Sequence, residues 1–266
     1  IKLNKNKHKW FALVSWTRYS PGGSTSEQKA AAVNFGCNVF MQGLAEDGTT
    51  WDCAGYDILA MRERFRRRRW EIGRCKYHFG SGSRGYGKKR RELPLTRIDD
   101  AEARWVETRI RQIAADLIAW CKAHGITDLY LEDLSGIRDD FEEKTEGDAP
   151  EQVKRFIHSW PCYQARLAIE RQGAEEGVSV HVKSAAYVSQ KCPSCGHTVP
   201  ENVKTVESSS DWKIIDGHVW STKERWTKFE CQACGLKAKG DVVACANHLT
   251  EVGRSHSLEK MQEKAR

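Results

Sequence analysis

The chain has no run of 18 apolar residues, which argues against a membrane-spanning helix. Its first ten residues, IKLNKNKHKW, lack the apolar stretch of a secretory signal, so an intracellular, cytoplasmic location is expected. A large charge excess is also missing. Lys and Arg number 43 against 36 Asp and Glu, a net +7, too little for a histone-like binder but suited to basic residues gathered on one face toward a polyanion. No methionine opens the sequence; Ile1 stands first, and a fragment of a longer protein is expected. The 266 residues suffice to bury the core of one large domain, or of one domain with a small insert. The ten cysteines, in a reducing compartment, read as thiols or metal ligands rather than disulfides.

Four of those cysteines carry the strongest local signal. KCPSCG supplies Cys192 and Cys195, and ECQACG supplies Cys231 and Cys234. Two intervening residues let both sulfurs of a pair face one centre, and the Gly that follows permits the turn, so two such knuckles can close a tetrahedral structural zinc site. The 35 residues between the pairs contain a β-ribbon turning at Asp216-Gly217. Within it Trp212, Trp220 and Trp226 interleave with Lys213, Lys223, Arg225 and Lys228. The indoles either stack bases, as single-strand binders do, or form the core of a ribbon too small to have another. His197 and His218 are left out of the metal site, because four thiolates already fill it.

Around this insert the pattern is α/β. AAVNFGCNVFMQGLAEDGTTWDCAG reads as a meander turning at Asp47-Gly48. A helix capped by Asp99 or Asp100 follows, with Val106, Ile110, Ile113, Leu117 and Trp120 at steps of three and four, ended by Gly125. Then come the strand ITDLYLEDLSG, an acid-containing linker, and a helix over about 151–176 with Phe156, Trp160, Tyr163, Leu167 and Ile169 as its apolar face. A strand through Val178, Val180 and Val182 leads into the ribbon, and a last helix starts after Gly240. A meander followed by helix-strand units matches a ribonuclease H-like mixed sheet, although periodicity also permits other mixed sheets.

Acids tip that choice. Ligands gather at the carboxyl ends of parallel strands, where Glu132 falls, and Asp241 opens the last helix, with Asn247 six residues on. A two-metal phosphodiesterase centre needs carboxylates from separate elements to clamp two Mg²⁺ ions about 4 Å apart. The third is expected from the first strand, KAAAVNFGCNVF, where the polar residue in the slot is Asn34. Asp133, beside Glu132, is expected on the opposite face of its strand.

LYLEDLSGIR, YVSQKCPSCGH, CQACGLKAKGDVVACAN and SGSRGYGKKRRELPL, in that combination over about residues 8–252, resemble the C-terminal half of TnpB-like nucleases and of the type V CRISPR effectors. The resemblance implies a RuvC-like domain in which Glu132 and Asp241 match the second and third catalytic acids and Asn34 the first. It implies the end of a wedge domain over 1–22, RuvC-like segments over 23–191 and 235–253, the zinc ribbon as a target nucleic-acid-binding insert over 192–234, and a tail over 254–266. The wedge and recognition lobe of the same protein would precede this chain. Guide RNA (crRNA) and target DNA are the implied partners, in a prokaryotic cytoplasm at the nucleoid.

One unit-charge pair at 4 Å is worth about 4 kcal/mol at an effective dielectric near 20, and half of that is still more than tenfold in metal affinity. Asn34 is therefore expected to leave weak or single-site Mg²⁺ binding at Glu132 and Asp241, and a domain that holds DNA with little or no cleavage. The compact type V-M subgroup, which silences by occupying DNA, is the placement this implies. The alternatives are an active Mg²⁺-dependent endonuclease of a type V or TnpB system, using an unrecognised third ligand, and a guide-free zinc-ribbon DNA-binding protein.

The most basic stretch is a helix from Arg62 to Arg74 followed by a Gly/Ser loop and the run Lys88 to Arg91. Nucleic-acid contacts are expected from Arg66, Arg67, Arg68, Arg69, Arg84, Lys88, Lys89, Arg90 and Arg91, and from Trp220 and Arg225 in the ribbon.

Overall fold

The structure is a computed structural model, and it describes residues 2–6, 9–13, 28–36, 39–76, 86–134, 161–184, 188–207, 211–215, 218–222 and 225–254. Arg84, the expected helical residues Phe156 and Trp160, the turn at 216–217 and the tail after 254 lie outside the described residues, as do the side chains of Lys88 to Arg91, Trp220 and Arg225.

A five-stranded mixed sheet organises the chain. Its strands are β3 (Lys29–Asn34), β4 (Met41–Ala45), β5 (Thr50–Cys53), β6 (Ile126–Asp133) and β7 (Ser179–Ser184), in the order β5-β4-β3-β6-β7. β3 pairs antiparallel with β4 and parallel with β6, and β6 pairs parallel with β7. The meander turns at Gly48, whose φ of 81° suits glycine, and Asp47 Oδ1 accepts from Thr49 N at 2.8 Å. A separate hairpin, β1 (Lys2–Asn6) with β2 (Lys9–Leu13), stands at the N-terminus.

Both faces of the sheet are covered, which is why β3 reads as an unbroken apolar run. On one face, α2 (Tyr86–Ala123) and α3 (Cys162–Glu176) pack Ile110, Ile113, Leu117 and Ile169 against Ala31, Val33, Leu129 and Leu131. On the other, α4 (Gly240–Glu251) lies between the central sheet and a three-stranded sheet of β8 (Val203–Glu207), β11 (Arg225–Glu230) and β12 (Lys237–Lys239). That sandwiching explains why Val242 through Leu249 are buried all round the helix. The ribbon hairpin is β9 (Asp211–Ile215) with β10 (His218–Thr222), pairing Ile215 with His218 across the expected turn.

Two helices differ from expectation. α2 does not start at Asp99 or Asp100 but at Tyr86, running through Pro94, so Lys88 to Arg91 sit in a helix and not on a loop. A proline removes one hydrogen bond of a long helix whose other turns continue. The Asp99 carboxylate, rather than capping, meets Arg69 on α1 (Tyr56–Lys76) at 3.2 Å. In α3 the buried face is Cys162, Ala165, Ile169 and Gly173, whereas Tyr163 and Leu167 are exposed. Small residues win that face because β7 comes close: a Cβ on Gly173 would stand 2.7 Å from Val180 Cγ2 and 2.8 Å from the Val178 carbonyl oxygen. Among the described residues, no helix is long and apolar enough to cross a membrane.

Candidate functional site

Alternation along the strands assembles the acid cluster. On β3, Ala31 and Val33 face α2, while Ala30, Ala32 and Asn34 face α4; on β6, Leu129 and Leu131 face α2, while Tyr130 and Glu132 lie on the other side. Because β3 and β6 are parallel neighbours, Asn34 and Glu132 end together at their carboxyl ends, where α4 begins with Asp241. Asn34 Nδ2 donates to Asp241 Oδ1 at 3.2 Å, and the Phe35 backbone N–H donates to Glu132 Oε2 at 3.2 Å. All three predicted positions therefore converge. Asp133 turns to the opposite face, where it meets Arg166 at 3.3 Å.

Two glycines fix this approach. A Cβ on Gly36 would lie 2.6 Å from the Val39 carbonyl oxygen and 3.3 Å from Asp241 Oδ1. On Gly240 it would strike Thr227 Oγ1 at 2.2 Å, so only glycine lets α4 start directly against β11. One turn after Asp241, the fully buried Cys245 donates its S–H to the Gln42 carbonyl at 3.0 Å and forms part of the floor.

Asn34 and Glu132 are 7% and 8% exposed, and burial sets the electrostatics. It raises Glu132 to about 7, opposed by the Phe35 N–H and reinforced by the Asp241 charge. Burial also raises Asp241, with Lys239 pulling it down. Glu132 thus changes charge near neutrality.

The four predicted thiols meet on the flank of α4. Cys192 Sγ is 3.6 Å from Cys234 Sγ, Cys195 Sγ is 3.6 Å from Cys231 Sγ, and all four lie within 4.8 Å of one another. A tetrahedral zinc with Zn–S of about 2.3 Å places its sulfurs about 3.8 Å apart, so the donor set fits that ion. The two knuckles repeat each other. Cys192 N donates to His197 O and Gly196 N to Cys192 O, as Cys231 N does to Leu236 O and Gly235 N to Cys231 O, with Gly196 and Gly235 at φ of 75° and 74°. Among the described residues this is the one cluster of three or more metal-ligating side chains, and it contains no histidine.

Two asparagines with no motif around them stitch the parts together. Asn202, fully buried, donates to the Gln190 and His197 carbonyls at 2.9 and 3.1 Å and accepts from Gln232 N at 3.0 Å, joining both knuckles. Asn247 donates to the Val188 and Lys191 carbonyls, tying the first knuckle to α4 rather than facing the acids. Of the predicted basic positions on α1, Arg67 and Arg68 are exposed and Arg66 is exposed but forked onto Glu63. Arg69 is half-buried and paired with Asp99 and Glu102 on α2, which spends it on helix packing.

With this geometry in place, the chain can be set beside known proteins. Residues 163–248, from α3 through both knuckles to α4, match the Cas12f1-like TNB domain. The chain is similar to compact type V CRISPR effectors. It is 24% identical over 238 residues to the CRISPR-associated endodeoxyribonuclease Cas12f1 of Syntrophomonas palmitatica, covering 89% of this chain and 42% of that protein. To the Cas12f1 of Sulfoacidibacillus thermotolerans it is 22% identical over 242 residues, covering 91% and 50%. The chain thus spans about half the length of these curated type V relatives. Its fold is similar to that of Cas12f in two solved structures. One is a Cas12f1-sgRNA-target DNA complex, with TM-score 0.53, 13% identity, and 82% of this chain and 49% of that one covered. The other is a CRISPR-Cas12f ternary complex, with TM-score 0.58, 14% identity, and 88% and 40% covered.

Proposed function

We propose that this chain is the RuvC-like and zinc-ribbon part of a guide-RNA-directed DNA binder that holds its target with little or no cleavage. The Asn34–Asp241 hydrogen bond carries the reading. A two-ion phosphodiesterase centre needs oxygens aimed at the metals from all three elements. Here the β3 group is a neutral amide that aims a donor at Asp241; turned over, its carbonyl oxygen could ligate an ion but would bring no negative charge to it. Asn34, Glu132 and Asp241 therefore fit a pair of magnesium ions poorly and leave at most a weak single site.

The relatives' names and the solved complexes support guide RNA and target DNA as partners. In this reading Cys192, Cys195, Cys231 and Cys234 hold a structural zinc, which would neutralise and clamp the two knuckles and do no chemistry. The β1–β2 hairpin belongs to a wedge domain, residues 23–191 and 235–253 form the RuvC-like domain, and 192–234 the zinc ribbon. A recognition lobe from the same protein completes the effector, and the non-cleaving type V-M subgroup is its placement. The exposed face of α1, with Arg66, Arg67 and Arg68, lies along the guide or its heteroduplex.

The test is to load the complete effector with guide and measure duplex binding and cutting in Mg²⁺. Binding at a matched target with no product is expected. Efficient cutting by the unaltered protein, with Mg²⁺ dependence, would show instead that Glu132 and Asp241 recruit a third ligand and would overturn the reading.

A further inference from the structure

Two sulfur contacts of 3.6 Å cross from one knuckle to the other, Cys192 with Cys234 and Cys195 with Cys231, and together they use every thiol of the cluster once. Exposure divides along the same lines. Cys195 and Cys234 are exposed, whereas Cys192 and Cys231 are 1% and 2% exposed, so each pair sets a sulfur that solvent reaches beside one that it does not. In the second knuckle Cys234 N donates to Cys231 Sγ at 3.5 Å, which holds that sulfur on the side toward Cys195. A disulfide has sulfurs about 2.0 Å apart, so each pair needs to close by about 1.5 Å, within the sweep of a Cys side chain.

We propose that the cluster is an oxidative modification site: a hydroperoxide converts the four thiolates to two disulfides, Cys192 with Cys234 and Cys195 with Cys231, which keep the knuckles joined once the metal has left. The inference rests on the zinc assignment above and adds a second, covalent state of the same four residues. Metal-held thiols are thiolates, and oxidation selects thiolates that solvent reaches, here Cys195 and Cys234. The Cys195 sulfur attacks a peroxide oxygen; an S–O bond forms, the O–O bond breaks, and the departing oxygen takes a proton and leaves as water or an alcohol. The Cys231 sulfur then attacks Cys195, so that an S–S bond replaces the S–O bond and the sulfenic oxygen leaves as water. Cys234 and Cys192 repeat both steps. With hydrogen peroxide, four thiolates, two peroxides and four protons give two disulfides and four waters.

The pairing decides the consequence. Disulfides inside each C-x-x-C would leave the knuckles unlinked when the metal goes. Disulfides between them replace one clamp by another, so Asn202 and Asn247 still hang both knuckles on α4 and Asp241 stays beside Asn34.

The experiment uses the 266-residue chain, with its zinc counted by elemental analysis. Limiting and then excess hydrogen peroxide is added, remaining thiols are alkylated, and the protein is digested with trypsin without reductant. Cys192 and Cys195 then lie on peptide 192–204, and Cys231 and Cys234 on peptide 229–237. The two peptides should emerge joined. At limiting peroxide the alkyl groups should sit on Cys192 with Cys234, or on Cys195 with Cys231. Zinc release to a chromogenic chelator should run in step with the joined species, and dithiothreitol with zinc should reverse both. Amide exchange in α4 of the oxidised chain should stay within about twofold of the zinc-loaded chain, against about tenfold faster exchange in reduced chain stripped by a chelator.

Separate peptides with internal disulfides, alkyl groups on Cys192 with Cys231 or on Cys195 with Cys234, thiols untouched by excess peroxide, or α4 exchange as fast as in the stripped chain would each overturn the proposal. A chain that carries no zinc would end the metal assignment, and the same digest would still read its thiol pairing. A zinc-bearing chain that pairs otherwise would end this inference alone, so the two failures are distinguishable.

Discussion

Asn34 on β3 and Asp241 on α4, 207 residues apart in sequence, are joined by an amide-to-carboxylate hydrogen bond of 3.2 Å. Replacing that donor by a carboxylate, Asn34→Asp, puts a third acid where a buried carboxylate has just lost its partner. The metal-free protein should lose about 1–3 kcal/mol at pH 8. Millimolar Mg²⁺ should restore it, and the guide-loaded effector should gain cutting. Denaturation with and without Mg²⁺ checks the first part, and a nicking assay the second.

Glu132 offers a pH test. Its folded value of about 7 lies above the ordinary 4.5, so the folded state holds a proton that the unfolded chain has released. The associated stability is present below about 4.5 and lost as pH rises through 7. In metal-free buffer at pH 8, Glu132→Gln should therefore be more stable than the parent, by about 1–3 kcal/mol, and the gain should vanish near pH 4. Urea midpoints across that range provide the measurement.

His248 works in the opposite sense. It is fully buried, neither ring nitrogen has a hydrogen-bond partner, and burial lowers it from 6.5 to about 4. The unfolded chain takes up a proton that the folded one refuses, so stability is complete above 6.5 and falls as pH drops toward 4, by at most about 3 kcal/mol. The two slopes oppose each other between about 4.5 and 6.5. In a Glu132→Gln background the acid loss should stand out, and His248→Leu should remove it.

Zinc content is the fourth test. Purified chain should carry one zinc, and Cys231→Ser should lose it together with several kcal/mol of stability. Since Asn247 and Asn202 hang both knuckles on α4, amide exchange in α4 should also rise in that variant. Unchanged exchange there would show that helix and knuckles are independent.

The local chemistry was legible in the sequence wherever spacing carries it. Cysteines two residues apart and followed by glycine announced both knuckles, and strand alternation put Asn34 and Glu132 on one face and Asp133 on the other. Long-range competition was not legible. Asp99 looks like a cap until Arg69 is seen across α1, and Tyr163 and Leu167 look like a core face until the closeness of β7 demands Ala165 and Gly173 instead. Asn202 could not be found at all, because a lone buried asparagine leaves no periodic trace.

The hairpin β9–β10 forms a sheet of its own, while the strands on either side of it are anchored by Asn202 at one end and by Gly240 at the other. Its length is therefore decoupled from the position of Asp241. A longer or shorter hairpin should therefore leave Asn34, Glu132 and Asp241 where they stand.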